Sequence, residues 1–428
     1  MKSFLAAITP ARLDRVALIA TLLTPLMLMH GHAIADGLIA VADLCFLLRC
    51  ARMRDWRWMR SFWFALGMAW WVWLLICTLP IPTLELGFGG VMPLVLTLVN
   101  LRFLVFAAAL EHVVLRDPQA RRWLWQVLAA CLVWIAGSSL IQFAFGRNLF
   151  GFPTGIDGEL TGPFGSPRAA PPLSRILLPV LLPLAAGLLA RGRLLASVAA
   201  YGVLLGGVCV MVLIGQRMPM LLTLFGLLVA GLLLRRLRPV VVTACVGGLA
   251  LLAATAIVSP PTYYRLVEKF SSQMAHFASS QYGQVYTRSL EMGRQNPLTG
   301  LGYDGYRHFC AEPRYYRPTF DGVLADGGGA AICFQHPHNF YAQALVEGGI
   351  PGLLLFSALA IAWLTPLARG LWRRPDPLRV GLFAAILIQL WPIASTSAFT
   401  SMPMGGWFFL LLGWAMAESR WASGPPAA

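Results

Sequence analysis

Apolar runs of membrane length recur along nearly the whole chain, broken by short basic or Pro/Gly-rich stretches. A helix needs about 20 mostly apolar residues to cross the hydrocarbon core of a bilayer. Such runs predict twelve helices, at 16–33, 35–51, 61–80, 88–110, 122–145, 173–190, 194–214, 219–234, 240–258, 341–366, 378–396 and 403–418. Two polar stretches interrupt them: 146–172, rich in Gly and Pro, and 259–340. The pattern therefore divides the chain into three parts. Residues 1–258 carry transmembrane helices 1–9 with a short segment at about 146–172, 259–340 form one large, mainly helical loop, and 341–428 carry helices 10–12 and a tail. The apolar run behind Met1–Arg15 continues into a full span, so a cleavable signal is not expected.

Composition narrows the class. Of 428 residues, 58% are hydrophobic and 12% charged, against about 25% charged in a soluble domain. That charge is too sparse to cover a globule of this size, which excludes a water-soluble enzyme and a disordered chain. Lys+Arg is 33 and Asp+Glu 18, giving +15, but the charge is not gathered into a basic domain, so nucleic acid is not an expected partner. With the loops alternating across the membrane, 21 of the 33 basic residues fall in the short loops and termini of one face. Lys/Arg in short loops marks the cytoplasmic side. Both termini are thus expected in the cytoplasm, with the two polar segments outside. Long loops are commonly functional, which puts the chemistry on the outer face.

Arg102 lies inside a span, and eleven basic residues remain outside: Arg147, Arg168, Arg175, Arg217, Arg265, Lys269, Arg288, Arg294, Arg307, Arg314 and Arg317. Arg217 sits in Gly215-Gln216-Arg217-Met218-Pro219, a tight break between two apolar helices with no acidic neighbour. An arginine there either snorkels to the headgroups or faces a cavity or partner; the fixed turn favours the second. Arg288 has Glu291 three residues on, an ordinary helical ion pair, or its guanidinium binds an anion, since arginine forks match phosphate oxygens. Arg102, Glu111 and His112 receive no role, and Arg102 is expected to pair with a neighbouring helix. His336 and His338 end the large loop. No zinc spacing or carboxylate set accompanies them, so neither metal nor cofactor is expected; a neutral imidazole acting as general base fits better. Asn339 can cap the following helix by itself, leaving His338 free for chemistry. Cys310 and Cys333 are the two cysteines of the outer loop, where an oxidising compartment permits a disulfide. The segment Tyr263–Ala275 is amphipathic enough to lie on the membrane.

Three motifs carry a resemblance. The stretch His338-Asn339-Phe340-Tyr341 … Glu347-Gly348-Gly349-Ile350-Pro351-Gly352 resembles the His-Asn … Glu-x-Gly signature of the bacterial O-antigen ligase and polymerase superfamily. Arg288 followed by Pro297-Leu298-Thr299-Gly300-Leu301-Gly302 resembles its arginine and Pro-x-x-Gly-x-Gly segment, and Gln216-Arg217 stands where the family often has Ser-Arg. The resemblance implies an all-α polytopic, GT-C-like glycosyltransferase of about 12 transmembrane helices in the bacterial inner membrane, its active site facing the periplasm. The donor would be O-antigen on undecaprenyl pyrophosphate and the acceptor a sugar hydroxyl of lipid A–core. His338 would be the general base and Arg217 and Arg288 the catalytic cations, with metal-independent inversion. Arg147, Arg168, Arg265 and His336 are weaker substrate-binding candidates. One dominant loop favours a ligase; a polymerase or O-oligosaccharyltransferase of the same superfamily is the alternative. A transporter of lipid-linked glycans is the rival from another class.

Overall fold

The computed structural model describes residues 9–80, 90–166, 168–316, 326, 328–396 and 398–421; Lys2 and Arg317 lie outside them. Helix α1 (Pro10–His30) begins where the Thr9 side chain accepts from the Arg12 N–H and a proline takes the first helical position. Gly31 alone separates it from α2 (His32–Met53). Then follow α3 (Phe62–Thr78), α4 (Val91–Ala109), which runs into a π-helical turn Leu110–Val114, and α5 (Pro118–Phe145), capped by Asp117. Helices α6 (Ala170–Leu189), α7 (Leu194–Ile214), α8 (Arg217–Leu233) and α9 (Arg238–Val258) lead to the large loop, whose longest helix is α10 (Gln281–Gln295). The chain closes with α11 (Phe340–Ala368), α12 (Pro377–Gln389) and α13 (Met404–Trp421). No strand occurs among the described residues, only an isolated bridge between Arg147 and Pro153.

A helix occupies each of the twelve predicted apolar segments. Seven are both long and apolar enough to cross a membrane: α1, α4 with its π turn, α5, α6, α7, α9 with the turn before it, and α11. Helices α3, α8 and α12 are shorter apolar helices. The remaining two carry charge within their length: Asp36, Asp43, Arg49 and Arg52 in α2, Glu418 and Arg420 in α13. The chain is thus a nearly all-helical protein of multi-pass membrane character.

An aromatic cluster joins α4, α11 and α13. Phe103 stacks on Phe409 at 5.1 Å, and Trp363 and Phe408 pack on the same group through Phe399. All five rings are buried. Several charges inside the bundle are paired, which lowers the cost of burying them. Arg102 of α4 donates to Asp36 of α2 at 2.6 Å, the neighbouring-helix pairing expected for it. At the opposite ends of these helices Arg49 pairs with Asp14, Arg121 with Glu418 and Arg420 with Glu111, tying α1 to α2, α5 to α13 and α13 to the turn after α4.

Truncating Phe409 to Ala removes a fully buried ring and its stacking partner. The substitution is expected to cost about 3–5 kcal/mol, read as a lowered midpoint for thermal unfolding in detergent, with Phe409→Leu losing clearly less.

Candidate active site

The Pro297–Gly302 and Glu347–Gly349 motifs turn out to be two halves of one contact. Leu301 N–H donates to Val346 O at 2.7 Å, Gly302 N–H to Glu347 O at 3.0 Å, and Ile350 N–H to Pro297 O at 2.7 Å. Helix α11 breaks its regular geometry at Gly349, with φ +64°, to permit this, and Gly300 has φ +62°. A Cβ on Gly300 would stand 2.6 Å from the Glu347 carbonyl carbon, and one on Gly349 2.6 Å from Pro297 O. Only glycine allows two backbones so close. Trp73 of α3 completes the joint, its indole N–H donating to Gly348 O at 2.8 Å.

His338 sits eleven residues above that break. Asn339 caps α11, its Oδ1 accepting from Tyr341 and Ala342 N–H at 2.9 Å, while its Nδ2 donates to Pro392 O at 2.8 Å. With the cap supplied by Asn339, His338 takes φ +55° and its carbonyl accepts from Thr396 N–H at 2.8 Å. A non-glycine residue held in that region signals over-determined surroundings. Its ring lies among Tyr282, Phe334 and His336, with ring centres 4.5 Å from His336. Burial lowers the His338 pKa below the ordinary 6.5, and burial with the neighbouring His338 pulls His336 down to about 4. Both rings are therefore neutral at neutral pH, and a neutral imidazole can accept a proton.

The arginines occupy other neighbourhoods. Arg217 opens α8, directly after Gly215 (φ +76°) and Gln216, and donates to Gln273 of the short helix Lys269–Ala275. Arg265 pairs with Glu159, and Lys269 with Asp157 at 3.0 Å, so segments 155–159 and 260–275 close over the start of α8. Arg265 is 8% exposed, and its Nη1 is buried with no hydrogen-bond partner among the described residues. Arg288 is 1% exposed. Its guanidinium donates to the carbonyls of Cys310 and Gly329 and lies over the Tyr316 ring at 4.2 Å. Cys310 and Cys333 form a disulfide with Cα atoms 5.7 Å apart, so Arg288 sits beneath the stapled part of the loop. Glu291 pairs with Arg294 at 2.7 Å. Arg217, Arg288 and His338 thus stand in three distinct sets of partners, each fixed by the loop that covers it.

Residues 202–357 match the family model for O-Antigen ligase. The match runs from α7 through the first half of α11 and takes in Arg217, Arg265, Arg288, His336 and His338, leaving Arg147 and Arg168 outside. The superfamily resemblance carried by the motifs is therefore shown over this stretch. The O-Antigen ligase family holds glycosyltransferase-like enzymes acting on O-antigen and covers polymerases as well as ligases. No curated protein matches the chain.

A cavity of about 990 Å³ opens beside the O-Antigen ligase motifs. The candidates Arg168 and His336 line it, with Arg102, Tyr303, Asp304 and Tyr306. Arg147 lies elsewhere, donating to Gly151 O at 3.0 Å across its own turn. Tyr306 connects the cavity to Arg288: burial raises its pKa and the Arg288 charge opposes the rise. Asp304, Tyr306 and Gln343 received no role from the sequence. Asp304 follows the Pro-x-x-Gly-x-Gly segment by two residues, and Gln343 precedes Glu347 by one helical turn, which was the available signal. Among the described residues no three His, Cys, Asp or Glu side chains gather as metal ligands would.

Gly349→Ala forces a Cβ against the Pro297 carbonyl. The variant is expected to release the loop, seen as faster proteolytic cleavage within 281–316 than in the unaltered protein, while Gly137→Ala, where a Cβ meets nothing within 4 Å, leaves the cleavage rate unchanged.

Proposed function

We propose that the protein is a GT-C-like O-antigen ligase of the bacterial inner membrane, with twelve spans, both termini in the cytoplasm and the cavity on the periplasmic face. It moves O-antigen from undecaprenyl pyrophosphate to a sugar hydroxyl of lipid A–core. The observation that carries the reading is His338: a neutral, half-buried imidazole, locked by its own backbone beside the His336–Pro337 wall of a cavity, inside the O-Antigen ligase match.

In the reaction His338 takes the proton of the acceptor hydroxyl as its oxygen attacks the anomeric carbon. The bond from that carbon to the pyrophosphate oxygen breaks, and the electron pair leaves with the diphosphate. Direct displacement inverts the anomeric centre. Negative charge growing on the leaving group is met by preorganised guanidinium groups, a contribution often worth a few kcal/mol. Arg217 and Arg265 supply N–H groups to it, Arg265 through its unpartnered Nη1. Arg288 acts as a fixed charge behind Tyr306 because its N–H groups already hold carbonyls. Arg168 and His336 contact substrate in the cavity, and Arg147 meets anionic lipid at its rim. Guanidinium charge does the work a divalent cation does in other transferases, so the reaction is metal-independent.

Purified protein, lipid-linked O-antigen and rough lipopolysaccharide, mixed with chelator, are expected to give a ladder on the lipopolysaccharide. Chain growth on the lipid carrier alone would replace this reading with a polymerase. His338→Ala is expected to lower kcat by about 10²–10⁴-fold and to leave donor binding intact, which a lipid transporter would not reproduce. The pH profile follows from the sign of the shift. A depressed pKa keeps the ring neutral until the pH drops below the ordinary 6.5, so kcat/KM should stay flat through neutral pH and fall only on the acid side of 6.5. An acid limb centred above 6.5 would remove His338 as the base.

A further inference from the structure

Two buried polar atoms at the wall of the cavity have no hydrogen-bond partner among the described residues: the Tyr306 hydroxyl and His336 Nε2. Buried polar atoms almost always find partners, and an orphan calls for an explanation. Tyr306 is 1% exposed, so bulk water does not supply one. A third lining residue, Asp304, is held at φ +61°. Its N–H donates to Glu347 Oε1 at 3.1 Å, and the same oxygen accepts from Gln343 Nε2 at 2.9 Å. Gln343 is spent on this support, since its own Oε1 accepts from Phe399 N–H at 3.1 Å. The Asp304 carboxylate meets Arg307 and His308 only at 3.7 and 3.8 Å, beyond hydrogen-bond length, so its oxygens keep accepting capacity.

We propose that Asp304, Tyr306 and His336 form a subsite for a sugar ring, recognised through its hydroxyls. The proposal rests on the glycosyl transfer argued above and names what fills this part of the cavity. A diphosphate offers only acceptors and would be repelled by the Asp304 carboxylate. A sugar hydroxyl both donates and accepts, so one ring can give to the Asp304 carboxylate and take from the Tyr306 hydroxyl. His336, neutral through burial, adds a ring nitrogen without adding charge. The cavity, at about 990 Å³, lies within the range that holds a ligand of several sugars. Two rings have this chemistry, the first sugar of the lipid-linked donor and the sugar that receives it, and the measurement below tells them apart.

Tyr306→Phe removes one atom that has no partner in the protein, so the fold loses nothing by it. Asp304→Asn keeps both shape and tolerance of the left-handed region and drops only the charge. Purified full-length variants are assayed with lipid-linked O-antigen and rough lipopolysaccharide, and KM is measured for each substrate. Losing a neutral hydrogen bond should raise one KM about 5–10-fold in Tyr306→Phe, and losing a charged one about 10–100-fold in Asp304→Asn. The substrate whose KM rises identifies the ring. Both KM values within about twofold of the unaltered protein in both variants, or a loss confined to kcat, would overturn the subsite while leaving the ligase reading in place. No transfer by the unaltered protein would instead overturn the ligase reading, and the subsite with it.

Discussion

The joint between Pro297–Gly302 and Val346–Ile350 is the constraint on which the rest of the site depends. Three backbone hydrogen bonds and the positive-φ glycines Gly300 and Gly349 dock the loop against the middle of α11. Backbone contacts of this kind admit no slack: a single methyl group at either glycine collides with main-chain atoms. Everything the loop presents is referenced to that joint. Asp304 receives its place from Glu347, one residue inside it, and Tyr306 follows on the next turn. From α10, Arg288 reaches across to hold Cys310 and Gly329, so the far part of the loop is fixed to the same base. The motif glycines therefore act through geometry, and the chemistry belongs to the side chains they position.

Two kinds of acceptor hold the arginines of this protein. In the bundle Arg102 meets Asp36 and Arg420 meets Glu111, while the buried Arg175 donates to the Gln389 side chain and the Pro171 carbonyl. In the loop the partners are mixed: Arg288 and Arg217 donate to carbonyl and amide oxygens, whereas Arg265, Arg294 and Arg314 meet carboxylates. A buried cation without such partners would be costly. Carbonyl partners satisfy the N–H groups without cancelling the charge, so Arg288 still projects a positive field toward Tyr306. Carboxylate partners cancel it.

Much of this was legible in the sequence, and the reasons differ by element. Apolar run length located all twelve helices, because burying or solvating twenty backbone N–H groups in lipid leaves helix as the natural solution. Length and composition alone endow seven of them with spanning character, since α2 and α13 mix charge into their faces. The cap at Asn339 was readable, because capping is local. The Arg288 carbonyl contacts were not, because their partners lie 22 and 41 residues away in a loop with no periodicity. Tyr306 and Asp304 were missed for a related reason: a cavity is a property of several segments at once, and no window of sequence contains it.

His338 and the three arginines Arg217, Arg265 and Arg288 are held by different partners. An imidazole must be unprotonated to act as a general base, and a cation that meets a diphosphate must keep its charge. Placing the two side by side would let each field help one function while moving the transferred proton against a positive charge. Here burial among Tyr282 and Phe334 keeps His338 neutral without a neighbouring guanidinium. The guanidinium groups sit instead on α8, on α10 and on the segment after α9, where glutamine, carboxylate and carbonyl partners hold them. In the proposed reaction, proton acceptance and leaving-group stabilisation are thus tuned by different surroundings.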